Sequence, residues 1–239
     1  DNATNQSNIR VRGWTQAGSY ANYFFTVGAN KPALLQITPV PTSSNDNTST
    51  YTFYSTLPGT INYSGSCDSD NDTTALADNN TVTFNALPDG THNDCKISVT
   101  TNDNITSDNL TVSSFTIDTT PPELDTVNIS SNNDNTTIAR VGNIVTLTIT
   151  ASENIQKPTV LIAGNSASVS PSSGIRTSWS ATYTMQSSDT EGTVSLSVAF
   201  TDSNANSGTT VTSTTNGSNV LFDKTAPTLT EVTAVSTPT

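Results

Sequence analysis

Charge is scarce in this sequence. Only 12% of its 239 residues are Asp, Glu, Lys or Arg, against about 25% in an ordinary globular protein. The charge present leans one way. Eight Lys and Arg stand against 20 Asp and Glu, for a formal net charge of −12. That balance repels phosphate backbones and argues against a nucleic-acid partner. Long apolar runs are missing too. No stretch approaches the ~20 residues of a membrane-spanning helix, and no charged and then apolar leader opens the sequence. The strong helix formers Ala, Leu, Glu, Lys and Arg are sparse, which disfavours helices.

Chemically versatile side chains are equally rare. Catalysis needs a nucleophile, an acid–base pair or an open metal site. The one histidine, His92, lies beside the Asp89-Gly90 turn, has no Ser or Cys nucleophile motif near it, and reads as a loop residue. Carboxylate pairs such as Asp189 and Glu191 lack the apolar surroundings that would raise a pKa. The expectation is a protein that is not an enzyme. Two cysteines, Cys67 and Cys95, are the only thiols. An even count in an acidic Thr/Asn-rich chain points to a disulfide formed in an oxidising compartment.

What fills the sequence is hydroxyl: Thr and Ser supply a third of it. So polar a chain invites comparison with disorder, but its apolar residues are periodic. Val145, Leu147 and Ile149 alternate with Thr146, Thr148 and Thr150. Trp179, Ala181, Tyr183 and Met185 alternate with Ser180, Thr182 and Thr184. Val194, Leu196, Val198 and Phe200 alternate with Ser195, Ser197 and Ala199. Period two is the mark of half-buried strands, and Thr keeps β propensity on a wet face without adding charge. Strands are expected near 33–40, 50–55, 59–64, 80–85, 94–101 and 109–117. A second set is expected near 124–130, 143–151, 158–163, 165–170, 177–185, 193–202 and 209–222.

The pattern repeats. Phe25-Thr26-Val27-Gly28-Ala29-Asn30-Lys31-Pro32, Phe115-Thr116-Ile117-Asp118-Thr119-Thr120-Pro121-Pro122 and Leu221-Phe222-Asp223-Lys224-Thr225-Ala226-Pro227 each run from a β-type stretch through a short polar stretch to proline. Successive copies lie about 100 residues apart, the size of one immunoglobulin-like sandwich. The fold class expected is all-β, with tandem immunoglobulin-like antiparallel β-sandwiches joined by Pro-containing linkers. Residues 1–30 read as the terminal hairpin of a preceding or incomplete unit, 31–119 as the first domain, 120–226 as the second, and 227–239 as the first strand of a further unit or a donor strand.

Asp118-Thr119-Thr120-Pro121-Pro122 and Asp223-Lys224-Thr225-Ala226-Pro227 resemble the D-x-T-x-P joints of bacterial immunoglobulin-like (Big-type) repeats in large cell-surface proteins and adhesins. Ala151-Ser152-Glu153-Asn154 and Phe200-Thr201-Asp202-Ser203-Asn204-Ala205-Asn206 are similar to further motifs of that family, with Ala205 where glycine is usual. The match is good over 120–227 and weaker over 33–119, where Asn102 stands for the Asp and Leu57-Pro58-Gly59 replaces the Glu loop. The resemblance implies a repeated extracellular stalk, often with calcium at its junctions.

The acidic loops have two readings: a calcium cofactor, or Asp and Asn residues that only form turns and caps. Calcium takes six to eight oxygen ligands, mostly carboxylates and carbonyls. Sandwich topology assigns Asp118, Glu153, Asn154, Asp202 and Asn204, with Asp89, to the middle junction, and Asp189, Glu191 and Asp223 to the next. Asp68-Ser69-Asp70-Asn71-Asp72 superficially matches an EF-hand loop but has Thr73 for the sixth-position Gly and Asn79 for the twelfth-position Glu, so it reads as a solvated loop. Cys67 follows one strand and Cys95 opens its neighbour in the same sheet, so a bridge is expected between them. Asn-x-Ser/Thr sequons occur at Asn2, Asn5, Asn47, Asn62, Asn71, Asn79, Asn104, Asn109, Asn128, Asn135 and Asn216. A chain so rich in these residues makes sequons by chance, so they permit glycosylation without arguing for it. Trp14, Tyr20, Tyr23, Phe24 and Phe25 read as core of the N-terminal hairpin, with a sugar-stacking surface as the other reading.

The function expected is a structural segment of an extracellular fibre, stalk or surface adhesin. The partners expected are neighbouring repeats or copies of itself, or a surface glycan or protein ligand. The alternatives are a filament subunit joined by strand complementation and a ligand- or carbohydrate-binding adhesin module.

Overall fold

The computed structural model describes residues 8–14, 20–26 and 30–229. Among the described residues every regular element is a strand. The chain divides into two compact units, Asp1–Thr119 and Thr120–Thr239.

In the first unit, Leu34–Thr38, Thr50–Ser55 and Asn79–Thr83 form one antiparallel sheet in that order. A second sheet runs Leu110–Thr111, Lys96–Thr100, Gly59–Ser64, Thr74–Ala75. Alternation decides which side chains go in. Tyr51, Phe53 and Val82 turn inward from the first sheet and meet Ile61, Ile97 and Val99 from the second. The outward side of the first sheet mixes hydroxyls with the exposed Leu35, Ile37 and Tyr54, and Thr52 and Thr81 hydrogen-bond across it at 2.8 Å. Phe84 stacks on Phe115 with ring centroids 6.4 Å apart. Two inner faces burying one core make a two-layer sandwich.

The second unit has the same plan. Leu124–Ser131, Ile144–Ile155, Arg176–Thr184 and Ser168–Ser170 form one sheet in that order, and Asn165–Ser166, Thr159–Ile162 and Leu196–Ala199 form the other. A bridge from Val198 to Val211 adds the start of the last segment to the second sheet. In strand letters the order is A-B-E-D against C-F-G, which is the arrangement of an immunoglobulin-type sandwich. Trp179, Leu147, Ile149 and Phe222 lie in its core.

Each unit closes with a small third sheet. Ser43–Ser44 runs parallel to Phe115–Ile117, which also pairs antiparallel with Gly90–His92. Ile138–Ala139 runs parallel to Leu221–Phe222, which pairs antiparallel with Gly192–Thr193. In each unit, an early strand and the final one therefore point the same way.

Several expectations need correction. The stretch 209–222 is not one strand: only Leu221–Phe222 is regular. Between them hydroxyls take over the pairing. Thr215 donates its N–H to the Val127 carbonyl, while Thr215 Oγ1 and Ser218 Oγ accept from Val127 and Ile129 N–H. The stretch 193–202 divides into Gly192–Thr193 and Leu196–Ala199, and 165–170 into Asn165–Ser166 and Ser168–Ser170. The strand expected to stop at 151 runs on to Ile155, with its pairing to Arg176–Thr184 interrupted between Thr150 and Ile155.

Cys67 and Cys95 are bonded to one another and buried. They sit just beyond the Ser64–Lys96 pair of the C and F strands. At the N-terminus, Asn8–Trp14 and Tyr20–Thr26 pair as an antiparallel hairpin, with Ile9 opposite Phe25 and Val11 opposite Tyr23. The aromatic side chains of that hairpin, sequons Asn2 and Asn5, Val27, and residues 230–239 of the segment expected to be a further unit's first strand or a donor strand lie outside what the structure describes.

The disulfide spans 28 residues of sequence, and closing a loop of that size removes about 3 kcal/mol of unfolded-chain entropy. Replacing both cysteines by alanine should lower the first unit's stability by about that amount in urea unfolding.

Candidate functional site

The most concentrated chemistry among the described residues lies at one end of the second unit. Strand Ile144–Ile155 begins in the A-B-E-D sheet. At Ala151–Asn154 it bulges, and the bulge is anchored to the first strand by Ser152 N–H to Glu123 O and Glu123 N–H to Ser152 Oγ. Beyond the bulge, Ile155 bridges to Asp202 in the other half of the sandwich, and Gln156 donates to Thr201 and Asp202 carbonyls. The bulge and that bridge bring two carboxylates together: oxygens of Glu153 and Asp202 lie within 4.8 Å of one another. Asn154, on the same bulge, is exposed.

Asp202 is fully buried, at 0% exposure. Its Oδ1 accepts the N–H groups of Asn204 and Asn206, both at 2.8 Å, and its Oδ2 accepts Asn206 Nδ2 at 2.8 Å. The donors in these bonds are all amides, so none brings a full positive charge to the buried carboxylate. To make the turn, Ala205 takes φ +69°, a left-handed conformation that costs a non-glycine residue about 1–2 kcal/mol. Glycine would adopt it without that cost.

Asp118 belongs to the first unit, where its N–H donates to Ser44 O at 2.9 Å. Asp89 and Glu191 share a different task. Asp89 Oδ1 accepts Thr119 N–H at 3.0 Å and Thr119 Oγ1 at 2.8 Å. Glu191 Oε1 accepts Lys224 N–H at 2.8 Å and Thr225 Oγ1 at 2.7 Å. Each acid sits on a turn and ties down the segment that leaves its unit. Nearby, Asp223 Oδ1 accepts Thr225 N–H, and the Lys224 ammonium donates to the Ser187 and Asp189 carbonyls. The Asp189 carboxylate is 6% exposed and faces inward, accepting from Asn165, Tyr183 and the Gln186 N–H. Among the described residues, Asp189, Glu191 and Asp223 do not converge on one point.

His92 is not a loop residue. It lies in the strand Gly90–His92, 6% exposed and stacked on Phe115 at 5.3 Å. Its Nδ1 is 2.9 Å from Ser66 Oγ and its Nε2 is 2.9 Å from the Pro88 carbonyl. The sequence reading missed Ser66 and Asp94, which join it: Ser66 Oγ donates to Asp94 Oδ1 at 2.8 Å. The Ser66 hydroxyl, then its N–H, hold the Asp94 carboxyl below the usual aspartate range. A nucleophile–base–acid relay needs the carboxylate on the far nitrogen of the imidazole. Here that nitrogen faces a carbonyl and the carboxylate holds the serine, so the order for acyl transfer is not made.

The acidic run 68–72 is pinned as a loop. Asp72 Oδ2 accepts Thr83 N–H, Asp68 Oδ1 accepts Ser69 N–H, and Tyr63 donates to the Asp72 carbonyl at 2.5 Å. Burial pushes the Tyr63 hydroxyl up to about 12, so it stays protonated at neutral pH. Of the sequons, Asn62, Asn71, Asn79, Asn104, Asn109, Asn135 and Asn216 are exposed, while Asn47 and Asn128 are half-buried.

Glu191 generates a pH prediction. The Thr225 hydroxyl, then the Lys224 N–H, lower its carboxyl from the ordinary 4.5. A lowered acid adds stability that is complete above its unfolded value and lost as pH falls through the lower folded value. The Lys224 amide NMR shift should therefore be flat near neutrality and move as acid is added, and Glu191→Gln should remove that step.

No family model matches the sequence, and no curated protein matches it. Among solved structures the chain is similar to the fibronectin(III)-like modules of Clostridium thermocellum CbhA, at 13% identity and a TM-score of 0.35, covering 80% of this chain and 94% of that one. It is similar to the D00-D0 domain of Intimin at 14% identity and a TM-score of 0.33, covering 81% and 100%. Likeness this weak carries no argument about activity, and the fold assignment rests on the strand order described above.

Proposed function

We propose that this chain is a structural segment of an extracellular fibre, stalk or surface adhesin, and that it transmits force rather than performing catalysis. One observation carries the reading. In each unit an early strand and the final strand run parallel, so the chain advances through the unit from one end to the other. A module crossed in that direction can be joined in series. The buried disulfide suits an oxidising, extracellular setting. Immunogold labelling of intact source cells with antibodies to residues 31–226 should decorate surface projections. Labelling that appears only after permeabilisation would overturn the reading.

We also propose a calcium ion at the Glu153–Asp202 end of the second unit. A buried carboxylate hydrogen-bonded by amides, with a second carboxylate beside it, is a like-charge pair that a dication relieves, and hard oxygen donors are what calcium takes. Glu153 and Asp202 would hold the ion, which would supply charge neutralisation and stiffness. A ligand that binds only the folded state raises its melting temperature. Calcium should therefore raise the melting temperature of the whole chain, and Glu153→Gln should abolish the rise. A melting temperature indifferent to calcium removes the site.

A further inference from the structure

The two linker ties are the same device built twice. In the first unit the terminal strand pairs Phe115 with His92, Thr116 with Thr91 and Ile117 with Gly90, and there the ladder ends. Gly90 has φ +133°. The residue just before it is Asp89, whose carboxylate takes the N–H and hydroxyl of Thr119, two residues past the end of the strand. In the second unit the ladder ends where Phe222 pairs with Gly192, at φ +121°. The residue before that glycine is Glu191, and it takes the N–H of Lys224, again two residues past the end. A side-chain carboxylate thus continues a ladder that the backbone has stopped making.

Tension shows what this does. Pulling on the chain before Leu34 and after Thr119 drags Ser43–Ser44 and Phe115–Ile117 past each other along their length. The Thr116 N–H to Thr42 O bond at 3.0 Å and the Asp118 N–H to Ser44 O bond at 2.9 Å then strain together rather than one by one. The tie is the first group the outgoing chain loads. We propose that Asp89 and Glu191 are load-bearing straps, each passing tension from the departing chain into the antiparallel neighbour of the terminal strand so that the parallel pair does not carry it alone. The second strap is the more heavily built. Glu191 also holds the Thr225 hydroxyl, and the Lys224 ammonium grips two further carbonyls.

This inference rests on the load-bearing reading above, and it is tested on single molecules, independently of where the protein resides. The full chain is tethered at both ends and held at constant force. The two units are told apart by released length, because the disulfide withholds its 28-residue loop from the first. Asp89 and Thr119 are exposed, so variants there should fold. Thr119→Val and Asp89→Ala should each raise the first unit's unfolding rate under load by about tenfold, the scale of losing one or two hydrogen bonds. The second unit's rate should not change, and Thr119→Ser should restore the first. Glu191→Ala should do the converse. Unchanged rates under load in the Asp89 and Glu191 variants, or equal changes in both units, would overturn the straps. Immunogold labelling confined to permeabilised cells would overturn the extracellular reading while leaving the strap result standing.

Discussion

A chain with this little apolar material folds only if most of its large side chains fall on the same side of their strands. Period-two alternation meets that demand. Tyr51, Phe53 and Val82 from one sheet reach Ile61, Ile97 and Val99 from the other, and Leu147, Ile149 and Trp179 play the same part in the second unit. The register follows from this, since a slip of one residue would turn the buried side chains outward and bring their mostly polar neighbours in. Charge is not needed for the arrangement, which is why so little of it suffices.

That same alternation made the strands legible in the sequence. Val145-Thr146-Leu147-Thr148-Ile149 announces a half-buried strand, and the strand is there. What escaped was structure too short to alternate. Ser43–Ser44, Thr74–Ala75 and Ile138–Ala139 hold two residues each, and no period fits in two residues. The long last segment escaped for another reason. Its threonines and serines read as the wet side of a strand, but Thr215 and Ser218 use their hydroxyls to replace backbone partners.

The candidate site was legible in composition and not in role. A carboxylate on a turn looks the same in sequence whether it faces a cation, a backbone amide or a hydroxyl. Glu153 and Asp202 do meet, because a bulge and one bridge bring their strands together. Asp89 and Glu191 spend their oxygens on the departing chain. The distinguishing signal was present: an acid directly before a glycine, ahead of a strand that pairs with the end of the unit. His92 illustrates the converse. One histidine beside a turn looked like a loop residue, yet it lies in a strand with its ring against Phe115, Ser66 and Pro88.

The outward hydroxyl faces, of which the Thr52–Thr81 contact is one rung, carry a consequence for the surroundings this protein tolerates. Neutral hydroxyls hydrogen-bond one another and water with almost no dependence on ionic strength, whereas exposed ion pairs weaken as dissolved salt shortens the reach of charge. Contacts such as Thr52–Thr81 should therefore keep their strength as salt is added, and the net charge of −12 is the part of this protein that salt screens.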